Sequence, residues 1–154
     1  MENTDTISVC LSKGLGAPIG SIALGSRAAI AEARVWRKRY GAGMRQVGIL
    51  AAAGHYALDH NIDRLRDDHA LAQKMAIALN KVDASLVNPA HVETNIVGLD
   101  LSQSGITAQE FAARCREKDL WVSALGPYFA RLVTHLDFDD AQCDRAIEIM
   151  KSAL

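Results

Sequence analysis

Lys13 lies between an apolar, β-prone run, TISVCL at residues 6–11, and a loop of glycine, proline and small residues, within the stretch VCLSKGLGAPIG at 9–20. A lysine partly shielded from water loses some of its preference for the charged form, and its neutral amine can then condense with an aldehyde to a Schiff base. Gly14 and Gly16 beside it let the backbone approach a flat ring. Two phosphate-binding readings of the same stretch fail. The P-loop needs its glycines before the lysine and a Ser or Thr after it, whereas here the glycines follow. The dinucleotide fingerprint GxGxxG begins at Gly14 and Gly16 but meets Ile19 where its third glycine belongs. The plain alternative is a strand-end lysine with a packed stem and a solvated ammonium.

Three further residues have chemistry of their own. Arg131 lies in YFARLVTHL at 128–136, where strand alternation puts Arg131, Val133 and His135 on one face. His135 on that face could border the same pocket as Arg131, but reads first as a core histidine. Arg45, in GMRQ, stands where a helix is expected to start and could make capping contacts there. Ser12 could satisfy a turn. The cysteines Cys10, Cys115 and Cys143 are odd in number, far apart and set in apolar patterns, as expected of reduced core thiols rather than a disulfide frame or a zinc site.

Pattern also sets out the secondary structure around these residues. Residues 6–11 and 21–24 (SIAL) read as two strands flanking the lysine loop. Ser26 caps a helix running to about Tyr40, and GAG at 41–43 stops it. The run 44–60 is apolar or small nearly all round and predicts a buried helix. Residues 62–79 place Leu65, Ala72, Met75, Ala76 and Leu79 on one stripe. After a break at 80–91, Thr94–Leu101 alternates as a strand, and Thr107 with Glu110 forms a capping box ahead of a helix carrying Phe111 and Cys115. LWVSALG and YFARLVTHL read as two more strands, and Asp139 caps a last helix with Cys143, Ala146, Ile147, Met150 and Leu154 on one face. This β-α-β-β-α order suits a small α+β domain.

A chain of 154 residues, 49% hydrophobic and 23% charged, has the composition of one globular domain or of a domain with an appendage. The formal net charge of −1 gives no electrostatic case for nucleic acid or an anionic membrane. The dense basic cluster Arg34, Arg37, Lys38 and Arg39 spreads around a helix and reads as a solvated face or a dimer contact. No apolar stretch reaches the roughly 18 residues of a membrane span, and MENTDT lacks the regions of a signal peptide, so a cytoplasmic protein is expected.

SVCLSKGLGAPIGSIALGS, GAGMRQVGILAAAG, RLRDDHALA, VETNIVGLDL and ARLVTHLD occur in this order. Together they resemble the carboxyl-terminal half of low-specificity L-threonine aldolases, which are fold-type-I pyridoxal-phosphate enzymes. The resemblance implies an α/β chain: part of a cofactor-binding large domain at 1–82, then a small C-terminal α+β domain at 83–154. It implies that Lys13 is the lysine that carries pyridoxal 5'-phosphate and that Ser12 touches the cofactor phosphate. Arg45 would act near that phosphate, across a subunit interface, and Arg131 would hold the substrate α-carboxylate. The implied substrate is a small β-hydroxy-α-amino acid, the implied assembly a homo-oligomer or a pairing with a complementing N-terminal half, and no metal is implied.

Family members are longer. The expectation is therefore that the loop binding the cofactor phosphate, a ring-stacking histidine and an aspartate at the pyridine nitrogen lie upstream of this stretch. Two readings result: a part of an enzyme that works when the rest is supplied, or an inactive remnant retained for oligomeric contacts.

Overall fold

The computed structural model describes residues 3–154, which divide into two compact units, one running to Arg64 and the other Leu65–Leu154. In the first, strands β1 (Thr6–Cys10) and β2 (Ser21–Gly25) pair antiparallel, with register from Thr6 opposite Gly25 to Cys10 opposite Ser21. Residues 11–20 thereby become the connection of a hairpin. Its path needs left-handed backbone at Gly16 (φ 72°) and Gly20 (φ 117°), which glycine adopts without a Cβ penalty.

Helix α1 (Arg27–Arg39) starts where Ser26 Oγ accepts the Ala29 N–H at 3.2 Å, and ends with Arg37, Lys38 and Arg39 beside its free carbonyls. No residue of α1 is buried, and Arg39 lies over the Trp36 ring at 4.9 Å, so the basic cluster sits on a solvated helix. Helix α2 (Gly48–His60) starts four residues later than the apolar pattern implies. The left-handed Gln46 (φ 51°) turns the chain just ahead of it. The expectation that this helix is buried all round is not met among the described residues. Only Gly54 and Ala57 are buried, while Ile49 is 85% and Tyr56 62% exposed.

The second unit opens with α3 (Leu65–Asn80). A division at 82/83 places this helix with the segment before it; by packing it belongs with the residues after it. Leu71, Ala72, Met75, Ala76 and Leu79 enter one core cluster with residues that all lie beyond Asn80. A three-stranded antiparallel sheet, β3 (Ile96–Asp100), β5 (Phe129–Val133) and the short β4 (Ser123–Ala124), has β5 in the middle. Val97, Leu99, Ala130 and Leu132 turn inward to meet α3, α4 (Ala108–Arg116) and α5 (Asp140–Ala153), which leaves the alternate residues on the outer face.

Both helix starts carry capping boxes, Thr107 with Glu110 and Asp139 with Gln142. The run LWVSALG yields only the two residues of β4. Ahead of them Arg116 stacks over an exposed Trp121 at 4.2 Å, and after them the 126–128 bend turns the chain, with Pro127 O taking the Ala108 N–H at 2.8 Å. Between α3 and β3, Gln73 donates to Pro89 O (2.8 Å) and Val92 O (3.0 Å) and ties down the 3-10 turn Pro89–His91.

Candidate active site

Lys13 falls in a turn rather than on a strand. Its carbonyl accepts the Gly16 N–H at 2.8 Å, and the surrounding loop is anchored inward by buried Leu11, Leu15 and Ala17, with Ala17 N–H donating to Leu11 O at 3.0 Å. The side chains of Ser12 and Lys13 are exposed. The pattern that reads as an apolar strand end is thus a loop pinned by its small and apolar members, with its polar members outward. Cys10 shares the turn: its Sγ lies 3.6 Å from Ser12 Oγ. That hydrogen bond, with the Ser12 backbone second and the Lys13 charge a lesser contributor, holds the thiol below its ordinary range.

Two residues not singled out by sequence reasoning hold this loop. Asn61 Nδ2 donates to Leu15 O at 2.7 Å, and Arg64 Nη1 donates to Gly14 O at 3.4 Å. Their signal was positional: a polar run, DHNIDR, begins where the apolar pattern of α2 stops.

Arg45 occupies the turn ahead of α2, exposed and with no hydrogen bond or ion pair among the described residues. It therefore caps nothing there. Helix α2 has Val47 at its N-cap and no side-chain cap.

Arg131 sits at the centre of β5, opposite Gly98 on β3 and Ser123 on β4, on the outer sheet face. The residue is half-buried, and its Nε is fully buried with no hydrogen-bond acceptor among the described residues. His135 lies past the end of β5 and is exposed, so the core reading is overturned. The strand ends at Val133, and buried Thr134 donates its hydroxyl to Asp68 O at 2.7 Å, leaving His135 to accept the Asp137 N–H through Nδ1 at 3.3 Å. His135 instead lines a cavity of about 310 Å³ with Trp121, Phe138 and Arg145.

Lys13, Ser12 and Cys10 thus share one turn, Arg45 stands in a separate turn of the same unit, and Arg131 belongs to the other unit. Cys115 and Cys143 are free and buried, as expected of core thiols, whereas Cys10 is half-exposed. No group of three or more His, Cys, Asp or Glu placed to hold a metal occurs among the described residues. None of their helices is long and apolar enough to cross a membrane.

Residues 1–102 match the family described as Beta-eliminating lyase. A probable low-specificity L-threonine aldolase 2 of Arabidopsis thaliana is 38% identical over 145 residues, which is 94% of this chain and 41% of that protein. The low specificity L-threonine aldolase of Escherichia coli K12 is 41% identical over 138 residues, 90% of this chain and 39% of the relative. The chain therefore spans about two fifths of the length of these curated relatives.

Among solved structures, a putative aromatic amino acid beta-eliminating lyase/threonine aldolase from Exiguobacterium superposes with a TM-score of 0.73 at 19% identity, covering 97% of this chain and 45% of that one. Sphingomonas wittichii serine palmitoyltransferase gives 0.72 at 14% identity, covering 99% of this chain and 40% of that one. The α/β fold expected from the resemblance, that of the fold-type-I enzymes, is the one these structures share. On the match over residues 1–102, and with the relatives agreeing, the chain belongs to the beta-eliminating lyase family.

Proposed function

We propose that this chain supplies the reactive lysine and the carboxylate-binding arginine of a low-specificity L-threonine aldolase, which splits L-threonine or L-allo-threonine into glycine and acetaldehyde. The observation that carries the reading is the buried Nε of Arg131. A buried donor without an acceptor costs about 1–3 kcal/mol, so the site is built for an acceptor brought from outside, and a carboxylate meets a guanidinium edge with two parallel hydrogen bonds. Lys13 is exposed, so the shielding that would favour its neutral amine is not supplied among the described residues; what supports its part is its place on a turn whose backbone is held.

In this reading Lys13 would hold pyridoxal 5'-phosphate, Ser12 and Arg45 would contact the cofactor phosphate, and Arg131 would fix the substrate α-carboxylate. The cofactor supplies the electron sink for the pair left at the α-carbon. The β-hydroxyl gives up its proton, the Cα–Cβ bond breaks, the β-carbon departs as acetaldehyde, and a proton delivered to the α-carbon completes glycine. Arg131 orients the amino acid and keeps its carboxylate neutralised throughout. Small β-hydroxy amino acids are the substrates, the cytoplasm is the compartment, and association with further copies or with a complementing segment covers the apolar residues that α2 exposes.

The test is complementation. The 154-residue chain is expected to show no turnover by itself, since it matches about two fifths of the relatives' length. Co-expressed with the remaining segment of the Escherichia coli relative, it is expected to release acetaldehyde from L-threonine, and Lys13→Ala to abolish that release. Turnover that survives Lys13→Ala would sink the assignment. An inactive but well-assembled complex would favour the remnant reading.

A further inference from the structure

Three successive backbone carbonyls around the candidate lysine each hold one donor. Lys13 O takes the Gly16 N–H at 2.8 Å, Gly14 O takes Arg64 Nη1 at 3.4 Å, and Leu15 O takes Asn61 Nδ2 at 2.7 Å. The first bond closes the turn on itself. The other two reach it from 50 and 46 residues further along the chain.

Asn61 is placed to do this by its own backbone. It is the C-cap of α2 (φ −107°, ψ −4°), and its N–H donates to Ala57 O at 2.9 Å, so the helix end fixes its main chain while its side chain reaches the loop. The same helix supports the loop by packing, because Leu11 Cδ1 sits 3.2 Å from where a Cβ on Gly54 would stand. Both reaching bonds are partly buried, and the Asn61 one is much the shorter, which makes it the stronger hold.

We propose that Asn61 is a positioning residue for Lys13: its side-chain amide locks the Lys13–Gly16 turn so that the lysine amine meets an incoming aldehyde from a fixed backbone. Fixing a residue's backbone carries a cost in conformational entropy. A turn ordered in advance does not meet that cost when the amine reacts, which is the sense in which orientation accelerates chemistry. A loose turn must meet it at each encounter. The proposal rests on Lys13 being the reactive amine.

The experiment treats the full chain, co-expressed with the remaining segment of the Escherichia coli relative, with pyridoxal 5'-phosphate, reduces with borohydride at timed intervals, and quantifies the label at each lysine by peptide mapping. Exposed Lys38 and Lys81 in the same sample are the reference. The variants are Asn61→Ala, which removes the side chain, and Asn61→Asp, which keeps its size but has no N–H. Circular dichroism and urea unfolding establish that each is folded under the labelling conditions.

In the wild type Lys13 is expected to label ahead of the reference lysines. In both variants the ratio of Lys13 to Lys38 label is expected to fall on the order of 10-fold, with labelling of Lys38 and Lys81 unchanged. A purely structural role would lower the urea midpoint and leave that ratio where it is. A wild-type preference that persists in the folded variants overturns the positioning role alone. Equal labelling of all three lysines in the wild type overturns the reading of Lys13 itself, and the proposal with it.

Discussion

Arg131 and Gly98 stand directly opposite each other on neighbouring strands of the outer sheet face, so the arginine faces a position with no side chain. The ring of Phe129, two residues before Arg131 on the same strand, fills the space instead: its Cε2 lies 3.0 Å from where a Gly98 Cβ would be. The position directly opposite thus offers the guanidinium no side-chain acceptor, and an aromatic ring covers part of the face. Replacing Arg131 by leucine removes the orphaned Nε at no cost in native hydrogen bonds. We expect Arg131→Leu to be at least as stable as the wild type in urea, because an apolar group in place of an unsatisfied donor is neutral or favourable. A loss of about 2 kcal/mol or more would mean that the guanidinium is structural, and would remove the main support for its role in carboxylate binding.

The three thiols should separate by environment. Cys10 is half-exposed and held below its ordinary range chiefly by Ser12, while Cys115 and Cys143 are buried and raised by that burial. At neutral pH a disulfide reagent should therefore modify Cys10 alone in the native chain, the other two reacting only on unfolding. Ser12→Ala should slow the Cys10 reaction at pH 7 by removing the hydrogen bond that favours the thiolate. An unchanged rate in that variant would show that Ser12 does not govern this thiol.

Much of this fold was legible because its signals are local. The capping box at Thr107, the Asp139 and Ser26 caps and the stripe through Ala72, Met75, Ala76 and Leu79 each need only a few residues of context, although Leu65, read on the same stripe, is half-buried and outside the core cluster while Leu71 enters it. What escaped depends on distant partners. Helix α2 looks core-like since Ile49 and Tyr56 are apolar, but burial is decided by what packs against a face, and sequence periodicity carries no record of that. His135 continues the alternation of Arg131 and Val133, yet β5 stops at Val133 and the pattern loses its meaning there. Among the candidate site residues, Lys13, Ser12, Arg45 and Arg131 rest on motif resemblance, whereas the Asn61 contact with the loop spans 46 residues and no local spacing announces it.

Stability should fall on the alkaline side for a nameable reason. Burial pushes the Cys115 thiol from an ordinary value of 9.0 up to about 11. In the unfolded chain it would ionise near 9.0, so the contribution of its neutral form is complete below that pH and is lost as pH rises from 9.0 towards about 11. Urea midpoints measured at pH 7.5, 9 and 10.5 should decline over the last interval, and less so in Cys115→Val. If both proteins decline equally, another group controls the alkaline loss.

The boundary between the two units makes a last distinction testable. If α3 belonged with the segment before it, residues 83–154 would fold alone; if it belongs with the core it packs into, a fragment must begin near Leu65. Five apolar residues of α3, Leu71, Ala72, Met75, Ala76 and Leu79, are at most 9% exposed. A fully buried leucine or methionine contributes about 1.5–3 kcal/mol, so losing the helix forfeits several kcal/mol against a domain stability of about 5–15 kcal/mol. It would also uncover the inner side of β3 and leave Gln73 unable to hold the Pro89–His91 turn. The fragment 65–154 is therefore expected to give dispersed amide resonances and a cooperative urea transition, and the fragment 83–154 to give neither. Cooperative unfolding of 83–154 with native-like resonances would show that the sheet, α4 and α5 suffice, and that α3 only covers a core already complete.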